Sequence, residues 1–251
     1  MLFRSILGDG FGELSGTPQN ERGLYIGLKH QISKFIVSTY VDQYFFEAPN
    51  AGILTSSSGI DVLAMIEANL SSRLKVYFLI RNETKDNVNS SFDDLGREHL
   101  LAGSRSRSSY RIQIQHQPNK TIRTRSRMEW VKFVNDELEP ENGYLLFQDI
   151  RVNATEKLLL DTRFTLFDTD SFNARVYQFE NDLRYVLTNT SLNNAGQRWY
   201  LVAKYDLSDQ LEISAKFSRT TFEDTQVVSS GLNRIEGNKR SFVGIQIRWE
   251  L

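Results

Sequence analysis

Ser241-Phe242-Val243-Gly244-Ile245-Gln246-Ile247-Arg248-Trp249-Glu250-Leu251 sets Val243, Ile245, Ile247, Trp249 and Leu251 on one face of a strand. Gly244, Gln246, Arg248 and Glu250 fall on the other. Alternation with a period of two requires an apolar medium on one side and a wet or polar one on the other. In a soluble protein the apolar face lies on a core. As the closing strand of an outer-membrane barrel it would lie in lipid, with Arg248 in the lumen. The stretch alone admits both.

Composition narrows the choice. The chain has 251 residues, 30 basic and 31 acidic, so it carries no overall field for a polyanion. No run approaches the roughly 18 consecutive apolar residues of a helical membrane span, and mean hydropathy is −0.40. A barrel tolerates that value, because only alternate residues meet lipid. Sixteen Phe, ten Tyr and three Trp are enough to furnish interfacial girdles. The absence of cysteine removes disulfide scaffolds, thiolate catalysis and cysteine-based zinc sites. The amino terminus lacks the sustained apolar segment and small-residue cleavage site of a signal peptide. An exported barrel with this start would be the carboxy-terminal part of a longer precursor, so residues 1–22 are expected to continue from an upstream part and 23–251 to form one barrel domain.

From Gly23 onward, period-2 segments recur at regular spacing. Leu24, Ile26 and Leu28 oppose Tyr25, Gly27 and Lys29, and Leu158, Leu160, Thr162, Phe164 and Leu166 oppose Asp161 and Arg163. Trp199, Leu201, Ala203 and Tyr205 precede Leu211, Ile213, Ala215 and Phe217. About twelve strands result, each near the 9–11 residues of a tilted membrane strand. Their connections alternate: short polar turns at 31–34, 71–73, 117–120, 153–157 and 206–210, long polar segments at 47–59, 82–107, 135–143 and 220–240. Short turns on one side and long loops on the other are the pattern of an antiparallel transmembrane β-barrel. The segment 176–195 breaks the rhythm: it must cross an even number of times, with Glu180-Asn181-Asp182 a possible tight turn between two short strands, or the strand count is off by one.

Parity places a ladder of charge in the lumen: Arg111, Arg123, Arg125, Arg127, Glu129, Asp161, Arg163 and Arg248, with Asp149, Glu212 and Glu250 as further acids on that side. The ladder is either a basic patch for an anionic solute or head group, or a neutralised network that plugs the barrel. Trp130, Trp199, Tyr205 and Trp249 are candidate membrane-interface aromatics. The run Ser104-Arg105-Ser106-Arg107-Ser108 reads as a solvated rim at a loop–strand junction. His116 and Ser126, on adjacent strands, are the one pair open to a lipid-hydrolase reading. Asp168-Thr169-Asp170-Ser171 lacks the glycine and twelfth-position Glu of a calcium loop. No cofactor, metal site or catalytic group is expected.

Four stretches carry a resemblance: Thr17-Pro18-Gln19-Asn20-Glu21-Arg22-Gly23-Leu24-Tyr25-Ile26-Gly27-Leu28; Gly143-Tyr144-Leu145-Leu146-Phe147-Gln148-Asp149; Leu166-Phe167-Asp168-Thr169-Asp170-Ser171-Phe172 with Phe179-Glu180-Asn181-Asp182; and Gly231-Leu232-Asn233-Arg234-Ile235-Glu236-Gly237-Asn238-Lys239-Arg240-Ser241. Together they resemble the carboxy-terminal barrel portion of Gram-negative outer-membrane proteins with competence-protein-like helix-hairpin-helix repeats. The resemblance implies a barrel in the cell outer membrane. It implies no activity, and since the repeats are absent here, no nucleic-acid binding by this portion.

The reading is therefore a non-enzymatic outer-membrane barrel with a transport or scaffold role and a charged, plugged lumen. Its expected partners are outer-membrane lipid, the barrel-assembly machinery at the C-terminal strand, and a protein at the extracellular loops. The alternative is a soluble all-β barrel binding a lipid or small ligand.

Overall fold

In the computed structural model the described residues are 2–3, 21–49, 53, 56–136, 138–229 and 231–250. One antiparallel sheet holds β1 (Leu2–Phe3), β2 (Glu21–Ile32), β3 (Phe35–Phe46), β4 (Ser57–Ser71), β5 (Leu74–Phe92), β6 (Glu98–His116), β7 (Ile122–Asn135), β8 (Glu141–Asn153), β9 (Leu158–Thr169), β12 (Gly196–Ser208), β13 (Leu211–Phe222) and β16 (Lys239–Trp249), neighbours in that order. Two short ladders lie outside it: β10 (Val176–Glu180) with β11 (Thr188–Leu192), and β14 (Val227–Val228) with β15 (Ile235–Glu236). Among the described residues no pairing joins β16 to β1, and there is no helix beyond the 3-10 turn Gly231–Asn233. Most of the segment 1–22 and Leu251 lie outside the described residues.

The strands group into two compact units. In the first (Met1–Ala68, Phe78–Tyr110, Lys132–Pro140), β2 pairs with β3 from Glu21↔Phe46 to Ile32↔Phe35, turning through Ser33 at positive φ. The turn suits a two-residue hairpin, whose twist matches the strands only with left-handed backbone. Asp42, Tyr44, Phe46 and Asp61 are buried while Val41, Phe45, Ile60 and Val62 are exposed. Asp61 accepts from Tyr40 at 2.9 Å and from Arg81 at 2.9 and 2.8 Å.

In the second unit (Asn69–Tyr77, Arg111–Val131, Glu141–Leu251), β8, β9, β12, β13 and β16 pair in register without interruption until the turn at Asp206/Ser208. One face buries Asp149, Asp161, Arg163, Thr165, Ser214 and Lys216; the other exposes Leu146, Phe164, Leu166, Leu201, Ile213 and Ile245. This inverts a water-soluble sheet, where exposing such side chains forfeits about 1.5–3 kcal/mol each. The pattern is stable where the outer medium is itself apolar. The terminal strand has the same polarity: Val243, Ile245, Ile247 and Trp249 are exposed and Gly244, Gln246 and Arg248 half-buried.

Three expectations are corrected. The segment 82–107 is not a long loop: β5 and β6 run through it, and only 93–97 connects them. Residues 82–91 are polar on both faces apart from Val88, so they carry no alternation by which to read a strand. The serine-arginine run 104–108 accordingly lies within β6 rather than at a loop–strand junction. The segment 176–195 holds the two short strands expected of it and keeps the crossing parity, but β10 and β11 pair only with each other, as a hairpin on the buried face of the second unit. Its connection is 181–187 rather than a tight turn at Glu180-Asn181-Asp182.

Candidate functional site: a charged inner wall and its hairpin

The wall is built by register. The Asn153 N–H donates to the Thr121 carbonyl at 2.8 Å and Ser126 to Gln148 at 2.6 Å. Continued along the ladder, that register sets Arg123 opposite Arg151 and Arg125 opposite Asp149. Between β8 and β9, Asp149 lies opposite Arg163 and Arg151 opposite Asp161. Side chains on one face of adjacent strands meet directly, and the ion pairs follow. Arg125 reaches Asp149 at 2.7 Å, Arg163 reaches the same oxygen at 2.5 Å, and Arg151 grips Asp161 at 2.6 and 2.8 Å. Glu129 is shared in the same way by Arg111, at 2.8 and 3.1 Å, and by Arg127. Phe147 projects inward among these groups: the guanidinium carbons of Arg125, Arg127 and Arg163 lie 5.8, 5.7 and 4.0 Å from its ring centre. An aromatic face attracts cations, so the ring offsets part of their mutual repulsion.

The hairpin is fastened to this wall by both backbone and side chains. Arg127 donates to the Tyr177 carbonyl at 3.2 Å and Arg163 to that of Phe179 at 2.7 Å. Thr165 donates to Gln178, and Asn181 donates to Asp161 at 3.0 Å. Glu180, wholly buried, receives a two-pronged contact from Arg198 at 2.6 and 2.9 Å and one from Lys216 at 3.1 Å. Lys216 also reaches Asp182 at 2.5 Å. Burial pushes the Glu180 carboxyl up, but the Arg198 hydrogen bond and the charges of Arg198 and Lys216 outweigh it and bring it down to about 2. Val176 and Leu192 enter an apolar cluster with Val131, Leu145, Phe147 and Phe167. Gly143 lets the chain approach: a side chain there would collide with the Ala174 carbonyl oxygen.

Of the expected ladder, Arg111, Arg125, Arg127, Glu129, Asp161 and Arg163 are joined in these pairs. Arg248 lies apart, with Glu212 at 3.6 Å and Glu250. Arg123 faces the wall without a carboxylate partner among the described residues. Trp130, Trp199, Tyr205 and Trp249 all lie on the exposed face. Trp130 donates to Asn142 at 3.1 Å near the start of β8 and Trp199 packs on Phe217, while Tyr205 and Trp249 flank the short turn between β12 and β13. The six steps from Trp199 to Tyr205 span roughly 20 Å at about 3.3 Å each, close to the apolar band of about 25 Å in such barrels. Ser126 gives its proton to Gln148 rather than to His116. In the 168–171 run, Asp170 accepts from the Asn142 N–H at 2.7 Å and the Thr169 hydroxyl from the Asn194 N–H at 2.8 Å. Among the described residues no group of His, Cys, Asp and Glu could hold a metal ion.

Arg151, Glu180, Asp182, Arg198 and Lys216 were missed in the sequence. Parity alone places Arg198 and Lys216 inward, next to Trp199 and Phe217, but their partners sit on a hairpin that carries no strand-crossing signal.

The fold has known counterparts. The chain is similar to the outer-membrane expressed OmpT of Vibrio cholerae, at 8% identity and a TM-score of 0.51, covering 92% of this chain and 64% of that one. It is also similar to the closed form of Fiu, a ferric-catecholate import receptor of E. coli K12, at 10% identity and a TM-score of 0.52, covering 92% of this chain and 46% of that one. The fold is that of outer-membrane β-barrels. The chain spans under two thirds of the first of these and under half of the second. No protein-family model and no curated protein matches it.

Proposed function

We propose that the chain forms the wall of an outer-membrane β-barrel whose charged lumen is narrowed by an inward hairpin, and that it serves restricted transport or membrane scaffolding. The observation that carries the reading is the hairpin itself. Glu180 and Asp182 are pinned to Arg198 and Lys216 on a wall whose opposite face is apolar. An inner loop held by buried ion pairs stays in place, since removing one partner of such a pair costs about 3–5 kcal/mol. The exposed aromatics Trp199, Tyr205 and Trp249 fit the two interfaces of a membrane, and β16 fits the strand that assembly machinery reads and lipid then surrounds. The likeness to barrel portions of helix-hairpin-helix proteins agrees with this placement and adds no catalytic role.

The test is conductance in a planar bilayer after refolding. The wild-type protein gives small or no steps, and replacing Val176–Leu192 by a short Gly-Ser link enlarges them. Large, steady steps from the wild type, unchanged by the replacement, would contradict a lumen narrowed by the hairpin.

A further inference from the structure

The inner wall of the second unit holds more cation than anion. Arg111, Arg123, Arg125, Arg127, Arg151 and Arg163 stand against Glu129, Asp149 and Asp161 on β6 to β9. Two of the three carboxylates each serve two guanidiniums, so the ion pairs described above leave an excess of positive charge. The hairpin does not offset it with charge, because Glu180 and Asp182 are taken by Arg198 and Lys216. It offers the wall the carbonyls of Tyr177 and Phe179, the side-chain carbonyl of Gln178 and the Asn181 amide, none of them charged.

The excess is concentrated at one corner. Arg123 lies opposite Arg151, and like charges directly opposite on a sheet repel. Arg123 has no carboxylate among the described residues. One step along the same face, the Nε–H of Arg125 is buried with no acceptor. A buried donor without an acceptor is destabilising, and more so when charged. Repulsion and an unmet donor in one place call for an acceptor of opposite charge. A guanidinium fork matches the paired oxygens of a phosphate or carboxylate better than it matches a spherical halide.

We propose that Arg123 and Arg125, with Arg151 opposite Arg123, bind a small oxyanion of the phosphate or carboxylate class. Because they lie on the face turned away from the apolar surface, the anion comes from water and not from a lipid. The inference rests on the reading of that face as a water-filled lumen, and it names the class of solute the lumen holds.

The test is thermal unfolding of the refolded protein in lipid-free detergent micelles, followed by tryptophan fluorescence, with sodium phosphate compared with sodium chloride at matched ionic strength. Phosphate raises Tm by several degrees in a saturable way beyond the chloride control, as ligand linkage requires. Arg123→Gln raises Tm in phosphate-free buffer, since it relieves the repulsion with Arg151, and removes most of the phosphate increment. Arg123→Lys keeps the charge but not the fork and retains only part of it. Equal responses to the two salts, which are screening alone, or an undiminished increment in Arg123→Gln, would overturn the site. Heat-modifiable gel migration, measured on the same samples, tests the barrel separately: its loss with the phosphate response intact sinks the lumen reading and leaves the anion site standing.

Discussion

Asp149 holds two guanidiniums with one oxygen, those of Arg125 and Arg163, and is almost wholly buried. Asp149→Asn keeps the shape but removes the charge that both cations share, and it should cost about 3–5 kcal/mol. Urea unfolding in detergent micelles measures that loss. Leu146→Ala, on the exposed face of the same strand, should cost distinctly less, because its side chain leaves no protein cavity behind. Much of this wall is legible in the sequence. Period-2 spacing alone puts Arg123, Arg125 and Arg127 on one face with Glu129, and Asp149 and Asp161 on the matching face of their strands. Which cation meets which acid is a matter of register, and register depends on turn geometry that residue types specify poorly. Arg123 facing Arg151 is the clearest case, since no pattern in either strand reveals it.

At the scale of the element, the β10–β11 hairpin decides what the inner face can do, and the sequence shows it as a break in the crossing rhythm with room for two short strands, not as a hairpin folded inward. Its inward residues mix apolar and polar, Val176 and Leu192 in the apolar cluster beside Gln178 and Glu180, so the one-sided apolar period that marks the crossing strands is missing. Runs polar on both faces likewise hide residues 82–87 of β5 and 103–108 of β6. Docking of the hairpin should depend on pH. The Glu180 carboxyl is held at about 2, below the usual value of 4.5, so its stabilisation is present in full above pH 4.5 and is lost as pH falls through about 2. It amounts to roughly 3 kcal/mol. Limited proteolysis of the refolded protein should therefore begin to cut within 181–187 at strongly acidic pH, with an acid-stable protease, while the sheet stays intact. Glu180→Gln should bring that cleavage to neutral pH. Gly143→Val should do so as well, by displacing the Ala174 backbone, although it lies in a different strand.

At the scale of the whole molecule, each unit inverts a water-soluble sheet: charge on the buried face, apolar side chains on the exposed one. The fold class follows from the sequence because lipid imposes its period on each crossing strand, and the final stretch 241–251 shows that period as plainly as any. Its pairing with β13 runs from Leu211↔Trp249 to Thr221↔Lys239. Leu201→Arg, near the middle of β12 on the exposed face, should destabilise the protein by about 2–4 kcal/mol in a bilayer. Refolding titrations into lipid vesicles measure it, and the substitution should be nearly silent if that face meets water.

The most direct measurement uses the absence of native cysteine. Single cysteines placed in turn at each position of 197–204, spin-labelled and reconstituted into lipid, report their surroundings through collision with oxygen, which concentrates in lipid, or with a water-soluble nickel chelate. The account predicts strong oxygen collision at Gln197, Trp199, Leu201 and Ala203 and little from either probe at Arg198, Tyr200 and Val202, alternating with a period of two. Nickel collision at Trp199 and Leu201 equal to that of an exposed loop position would contradict it.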